Sequence, residues 1–276
     1  MTQYLSYQFN DSDAFIETFD EAPLWSAAFG LLLLKHLELK PNIEVIDLGS
    51  GAGFPLMELA ARLGSSSTLY GIDTWTTATA RARKKMANYG LNNVELIESS
   101  AEKIPFEDNS IDLIVSNLGI NNFDNRNAVF SECHRVLKPE GKLALTTNLN
   151  GHWKVFYTIF EDTARQLNMP ELVDKLATQQ EHRGTIASIS KLFTDNGLTV
   201  VRHVEDHFDM HFVDGTAFLN HYFVKLGWLS SWKELVPEHE QVRVFSQLEQ
   251  NLNAYAKEHN GLTLDVPMAF IEGVKS

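Results

Sequence analysis

The chain has one cysteine, Cys133, so no internal disulfide can form, and its apolar helical neighbours make that thiol a small core residue. It is also short of positive charge. Against 36 acidic residues there are 23 lysines and arginines, a formal charge of −13 that repels phosphate backbones and anionic lipid headgroups. Nucleic acid is therefore not expected as a partner. Long apolar runs are missing too: the longest, Leu31 to Leu34, is far too short to span a bilayer. The first residues show no basic stretch followed by an apolar one, so the expectation is a soluble, cytoplasmic chain with no membrane span. No internal repeat or low-complexity tract appears. What is present, 276 residues with 44% hydrophobic content, suffices for one large core, as in a single enzyme-sized domain.

Strand-like and helical patterns alternate. Ile43–Leu48 is followed by Leu56, Leu59, Ala60 and Leu63 at helical spacing, then by the short run Thr68–Asp73, which together read as a βαβ unit. A charged helix through Arg81–Tyr89 leads to strands at Val94–Glu98 and Ile111–Asn117. The next helix, with Val129, Cys133, Val136 and Leu137 on one stripe, stops at Lys138–Gly141, and Lys142–Asn148 reads as a fifth strand. Strands separated by helices imply parallel pairing, hence a doubly wound α/β fold. After Asn148 the alternation breaks into helical segments, returns at Ser188–Asn196 and Thr199–Met210, breaks again, and closes with a strand-like run at Leu262–Val274. The expected organisation is an N-terminal helical segment and lid over residues 1–42, then a domain over 43–276 with helical caps inserted at about 151–184 and 214–258. The last strand follows the second cap.

The stretch "EVIDLGSGAGFPLMELA" (Glu44–Ala60) turns a buried strand into a helix through Gly49, Gly51 and Gly53. Glycine there permits a tight turn, and it also lets a ligand approach the backbone. Pro55 suits the first helical turn, whose free N–H groups face the crevice at the carboxyl end of the strand. A dinucleotide fingerprint would need a third glycine where Phe54 stands. Asp47, ending the first strand, would also repel a pyrophosphate. It favours a ligand with a cationic end. Asp73 closes the second strand, where a carboxylate can accept hydrogen bonds from both hydroxyls of a ribose. A nucleoside without a phosphate chain fits these features.

These segments, with "LYGID" (Leu69–Asp73), "SSAEKIPFEDNSIDLIVSN" (Ser99–Asn117) and "ECHRVLKPEGKLAL" (Glu132–Leu145), resemble the class I S-adenosylmethionine-dependent methyltransferases, of the group similar to the ubiquinone and menaquinone biosynthesis methylases. The resemblance covers roughly Val45 to Thr147. It implies a Rossmann-like methyltransferase sheet and S-adenosyl-L-methionine as cofactor. Asp47 and the turn Gly49, Ser50, Gly51 and Gly53 would contact its methionine part, Asp73 with Thr74 beside it the ribose, and Ala101 and Glu102 the adenine. The family usually has Asp where this chain has Ser100, which can accept a hydrogen bond from the adenine amine without charge. Asn117 falls where the family lines the cleft beside the transferable methyl group, or else it caps its strand. The "HRVLKPEG" segment is scaffold by the same resemblance, so His134 is expected to pack or cap a helix.

A histidine and carboxylate row, His203, Glu205, His207, Asp209 and His211, shares one face of a strand, but alternate same-face residues lie too far apart to meet on one ion, so no metal is expected. Methyl transfer from a sulfonium needs alignment, desolvation and, for some acceptors, loss of a proton. His152, just after the fifth strand, is the candidate base, with His221 as the alternative. Aromatics at Tyr4, Tyr7, Phe15, Trp25, Trp153, Phe156, Tyr157, Tyr222, Phe223 and Trp228 could roof a site or simply pack. The expected activity is methyl transfer to a small, apolar or aromatic molecule. A non-catalytic cofactor-binding protein and a nicotinamide-dependent reductase are the rival readings, the second disfavoured by Phe54 and Asp47. The sequence leaves the acceptor atom and the oligomeric state open.

Overall fold

The computed structural model describes residues 2–8, 12, 24–181 and 183–276. The chain forms two compact units, a sheet unit (Asp11–Asn148, Gly184–Asp206, Met268–Ser276) and a helical unit (Met1–Asn10, Leu149–Arg183, His207–Pro267).

The sheet has seven strands, β1 (Glu44–Leu48), β2 (Thr68–Asp73), β3 (Val94–Glu98), β4 (Ile111–Asn117), β5 (Leu137–Asn148), β6 (Leu198–Phe212) and β7 (Leu262–Lys275), in the order β3-β2-β1-β4-β5-β7-β6. The first five pair in parallel. β1 and β4 lie at the centre, and the apolar runs "VIDL" and "LIVSN" are buried throughout, as strands covered on both faces must be. β7 runs antiparallel to β5, from Asn148↔Met268 to Lys142↔Val274, a reversal the periodicity did not reveal. The chain leaves β1 toward β2 and β3 and then returns to β4 on the other side. That reversal opens a crevice at the carboxyl ends of β1 and β4.

The helices differ from expectation mainly at their ends. α1 is Leu24–His36 and packs on β4 and β5. α2 is Leu56–Leu63, with Leu56, Met57, Leu59, Ala60 and Leu63 buried; Pro55 stands just before it, after a cis peptide, not within its first turn. α3 begins at Thr76, five residues earlier than the charged pattern suggested, and ends at Tyr89 with Gly90 left-handed behind it. After α4 (Arg126–Val136) the strand β5 starts directly at Leu137, so "KPEG" belongs to an irregular stretch of strand: Ile111 pairs with Leu137, but Leu113 already pairs with Lys142. α5 (Lys154–Gln166), α6 (Pro170–Glu181) and α7 (Ile186–Asp195) follow, the last opened by a reciprocal Thr185–Ser188 cap. The helical unit continues with α8 (Gly215–Asn220), α9 (Tyr222–Val224), a π-helical turn Lys225–Leu229, α10 (Ser230–Leu235) and α11 (Glu238–His259). α11 buries Val244, Leu248, Leu252 and Ala256 along one stripe.

Trp153, Phe156, Phe218, Trp228 and Trp232 are buried against one another, with centroids 4.4 Å apart for Phe156 and Trp232 and 4.6 Å for Trp153 and Trp228. They are the core of the helical unit, so ordinary packing accounts for them. Tyr4 joins it too, on Phe245 and Glu249. The N-terminal residues expected to form a lid thus divide. Residues 2–8 belong to the helical unit, while Phe15 and the rest of 13–20 lie outside the described residues.

Gly141 fixes the bulge on β5. A Cβ there would stand 2.7 Å from the Lys138 carbonyl oxygen and 3.1 Å from that of Ile111, both backbone atoms. Gly141→Ala is expected to lower stability by about 1–3 kcal/mol, read as a shift in the urea midpoint; an unchanged midpoint would show that the bulge yields freely.

Candidate functional site

Four loops leaving the carboxyl ends of β1 to β4 enclose a cleft of about 390 Å³. Gly49 comes from the β1 loop, Asp73, Thr74 and Trp75 from the β2 loop, Ser99 to Glu102 from the β3 loop, and Asn117 to Gly119 with Asn122 to Asp124 from the β4 loop. Of the sequence-predicted cofactor residues, Gly49, Asp73, Thr74, Ser100, Ala101, Glu102 and Asn117 line it. Asp47, Ser50, Gly51 and Gly53 stand around the same turn without lining the cleft.

The turn is held by Asp73. Its Oδ2 accepts the Gly51 N–H at 2.7 Å and its Oδ1 accepts the Trp75 N–H at 2.8 Å. A carboxylate has about four lone-pair sites, so each oxygen keeps one for a ligand donor. Gly49, Gly51 and Gly53 all have positive φ. A Cβ on Gly51 would meet no atom of the described residues within 4 Å, so among them only its φ of +48° resists a side chain.

Asp47 lies beneath this turn, fully buried on β1. Neither carboxylate oxygen has a hydrogen-bond partner among the described residues. Burial first, and then the charge of Asp73, push its pKa up to about 7, while the nearby Leu56 N–H pulls weakly the other way. An unpaired buried carboxylate is costly, and a cationic group would offset that cost.

The remaining residues do more structural work than the sequence suggested. Asn117 donates to the Ser26 carbonyl at 3.1 Å and accepts the Thr146 hydroxyl at 2.8 Å, so it ties α1 and β5 to the end of β4 while facing the cleft. The Ser100 hydroxyl accepts the Glu102 N–H at 3.1 Å, and Glu102 accepts the Asn125 N–H at 3.0 Å. Both side chains are exposed. Trp75, Leu118, Gly119, Asn122, Phe123 and Asp124 were not anticipated; all but Trp75 lie in the loop "LGINNFD", which carries no recognisable spacing.

His152 lies in the helical unit, buried between Trp153 and Trp228 with centroids 4.3 and 5.7 Å away. Burial, and then the positive charge of Arg183, hold its pKa well below the usual histidine value, so the ring is neutral. His221 is half-buried against Phe212 and Tyr222, with its pKa lowered by burial and by Lys225. His134 packs beside Gly197. Cys133 is buried and its thiol pKa is pushed far up by burial. On β6, His203, Glu205, His207, Asp209 and His211 are exposed, and among the described residues no three metal-ligating side chains come together. No described helix is long and apolar enough to cross a membrane.

Asp47 has a sign-definite effect on stability. Its folded pKa lies above the ordinary 3.8, so the folded state holds a proton that the unfolded chain gives up, and stability should decline as pH rises from about 4 to about 7. We expect the ligand-free protein to lose melting temperature across that range and Asp47→Asn to flatten the decline. Equal slopes in both proteins would remove Asp47 as the cause.

A family model described as methyltransferase domain matches residues 39–250, more than half of the chain. The chain is 32% identical over 108 residues to an arsenite methyltransferase of Halobacterium salinarum, which covers 39% of this chain but only 28% of that protein. It is 28% identical over 180 residues to a demethylmenaquinone methyltransferase of Listeria welshimeri, 62% of this chain and 76% of the relative. Its fold is similar to the crystal structure of a SAM-dependent methyltransferase from Aquifex aeolicus, with a TM-score of 0.55 and 24% identity over 71% of this chain and 93% of that one. With its parallel core, antiparallel β7 and cleft beyond β1 and β4, the chain belongs to the methyltransferase domain family, within the class I S-adenosylmethionine-dependent methyltransferases.

Proposed function

We propose that this chain transfers the methyl group of S-adenosylmethionine to a small, apolar or aromatic acceptor. The observation that carries the reading is the pairing of Asp73, with a free lone pair on each oxygen at the rim, and Asp47, unpaired and buried beneath the same glycine turn. The cofactor supplies an electrophilic methyl group on a sulfonium and a cationic amine on its methionine part. Asp73 would accept the ribose hydroxyls while continuing to brace Gly51. Asp47 would balance the positive charge of the methionine part, with Gly49, Ser50, Gly51 and Gly53 leaving the backbone accessible. Thr74, Ser100, Ala101 and Glu102 would border the nucleoside, and Asn117 would hold the wall beside the reacting centre. The aromatic character of the acceptor is supported by the Listeria relative, whose name gives demethylmenaquinone, a quinone, as the molecule it methylates. Arsenite, the substrate in the Halobacterium relative's name, has no such body.

His152 is the proposed proton acceptor for acceptors that must lose a proton. Its neutral ring has the form a base needs, but the burial that keeps it neutral also weakens it. Such a base suits an acidic hydroxyl or an activated carbon better than an amine that has to be deprotonated first. His152→Gln should lower kcat by ~100-fold and leave cofactor affinity alone; full-rate turnover would assign the proton elsewhere.

The direct test is incubation with methyl-labelled S-adenosylmethionine and 1,4-naphthohydroquinone, extracting labelled product into organic solvent. Label in that phase is the expected result. Its absence, with cofactor bound, would end the aromatic reading. Asp73→Ala removes two charge-assisted hydrogen bonds to ligand and two to backbone, so affinity for S-adenosylhomocysteine by calorimetry should fall more than about tenfold in a protein that remains folded. Undiminished affinity would place the ribose elsewhere.

A further inference from the structure

Among the described residues of the sheet unit, one buried side-chain amide nitrogen, that of Asn148, has no hydrogen-bond partner. Asn148 ends β5 and is 1% exposed. Its Oδ1 accepts the Asn121 Nδ2–H at 3.0 Å, and Asn121 is fixed in turn by the Thr147 hydroxyl, which donates to its Oδ1 at 3.0 Å. The Asn148 Nδ2, carrying two N–H donors, has no partner among the described residues. A buried unpaired donor is destabilising, so a side chain held in that state by two neighbours points to a ligand.

Its position says which ligand. Asn117, which lines the cofactor cleft, pairs across the sheet with Thr146. Asn148 lies two residues further along β5, about 7 Å toward the carboxyl ends of the strands, where open α/β sheets take their ligands. Its partner Asn121 closes the turn Gly119–Asn121, between Gly119 and Asn122, which both line the cleft. Asn148 is therefore placed at the far side of the β4 loop from the cofactor residues of β1 and β2.

We infer that Asn148 is a specificity-determining residue whose Nδ2–H groups bind an oxygen of the methyl acceptor, so that the acceptor is an aromatic or apolar molecule carrying a hydroxyl or carbonyl oxygen. The inference rests on the methyl-transfer reading above and adds the oxygen requirement to it. Asn121 and Thr147 are positioning residues: they hold the amide with its oxygen turned to Asn121 and its nitrogen available. Binding an acceptor oxygen would satisfy the Asn148 Nδ2 donors, which have no partner among the described residues. An acceptor without oxygen would leave it unpaired, and the site would discriminate against it.

The test compares wild type, Asn148→Asp and Asn148→Ala with 1,4-naphthohydroquinone under anaerobic conditions. Asn148→Asp keeps the oxygen that Asn121 needs and removes the donor; circular dichroism checks that it is folded. For Asn148→Asp we expect KM for the naphthohydroquinone to rise at least about tenfold, with the calorimetric affinity for S-adenosylhomocysteine within about twofold of wild type. Asn148→Ala should show the same KM rise, and naphthalene, which has no oxygen, should bind wild type and both variants alike. If both variants keep the wild-type KM, or if cofactor affinity falls as far as acceptor affinity does, Asn148 has a structural role and the inference fails while the methyl-transfer reading stands. If wild type binds cofactor but neither binds nor methylates naphthohydroquinone, the aromatic reading and this inference fall together.

Discussion

The Asp73 carboxylate is the joint on which the site is assembled. One side chain at the end of β2 takes the Gly51 N–H from the loop of the neighbouring strand and the Trp75 N–H from its own. A buried strand-to-helix turn leaves backbone donors without partners, and a fixed charge at 2.7 Å both satisfies one and sets where the turn stops. The left-handed glycines follow from that constraint. So does the position of Asp47 below them, because β1 has to deliver Gly49 to the rim and Asp47 precedes it by two residues on a strand buried from Val45 onward.

Two acids thus share one small region with opposite environments. Asp73 is half-exposed and doubly hydrogen-bonded, whereas Asp47 is enclosed and bonded to nothing described. Like charge from the first adds to the burial of the second. A neutral ligand would leave that repulsion in place. A ligand carrying both hydroxyl donors and a positive charge would answer both acids at once, whereas a pyrophosphate would bring further negative charge beside them.

The first half of the chain was legible because its signals are local. An apolar strand covered on both faces, a glycine turn and an amphipathic helix each fit within about 20 residues, and "VIDLGSGAG" and "LYGID" state them directly. The ends of elements were less so: α3 starts in Thr76–Ala80, where no charge pattern marks a helix, and Pro139 and Gly141 were read as a stop although they sit inside a bulged strand. Residue roles were legible in type but not in partner. Asn117 could be placed at the end of its strand, but its bonds to Ser26 and Thr146 join residues 91 and 29 positions away. The aromatics of the second half could be counted but not sorted, since a tryptophan in a helical core and one over a ligand have the same spacing. Asn148 gave no sequence signal at all, because an unpaired donor is a property of its surroundings.

The strand order also governs the sequence in which the sheet can be completed. β6 is made before β7, yet β7 lies between β5 and β6 and separates them. β6 therefore has no neighbour to join until the segment Leu262–Lys275 has been inserted, and the intervening residues, α8 to α11, must be gathered or looped out before that happens. Pairings of such sequence separation carry a large loop-closure entropy and arrive late. During that interval the antiparallel side of β5 is an open edge, and the polar ends it presents, Thr147 and Asn148 among them, belong to the last part of the sheet to be closed.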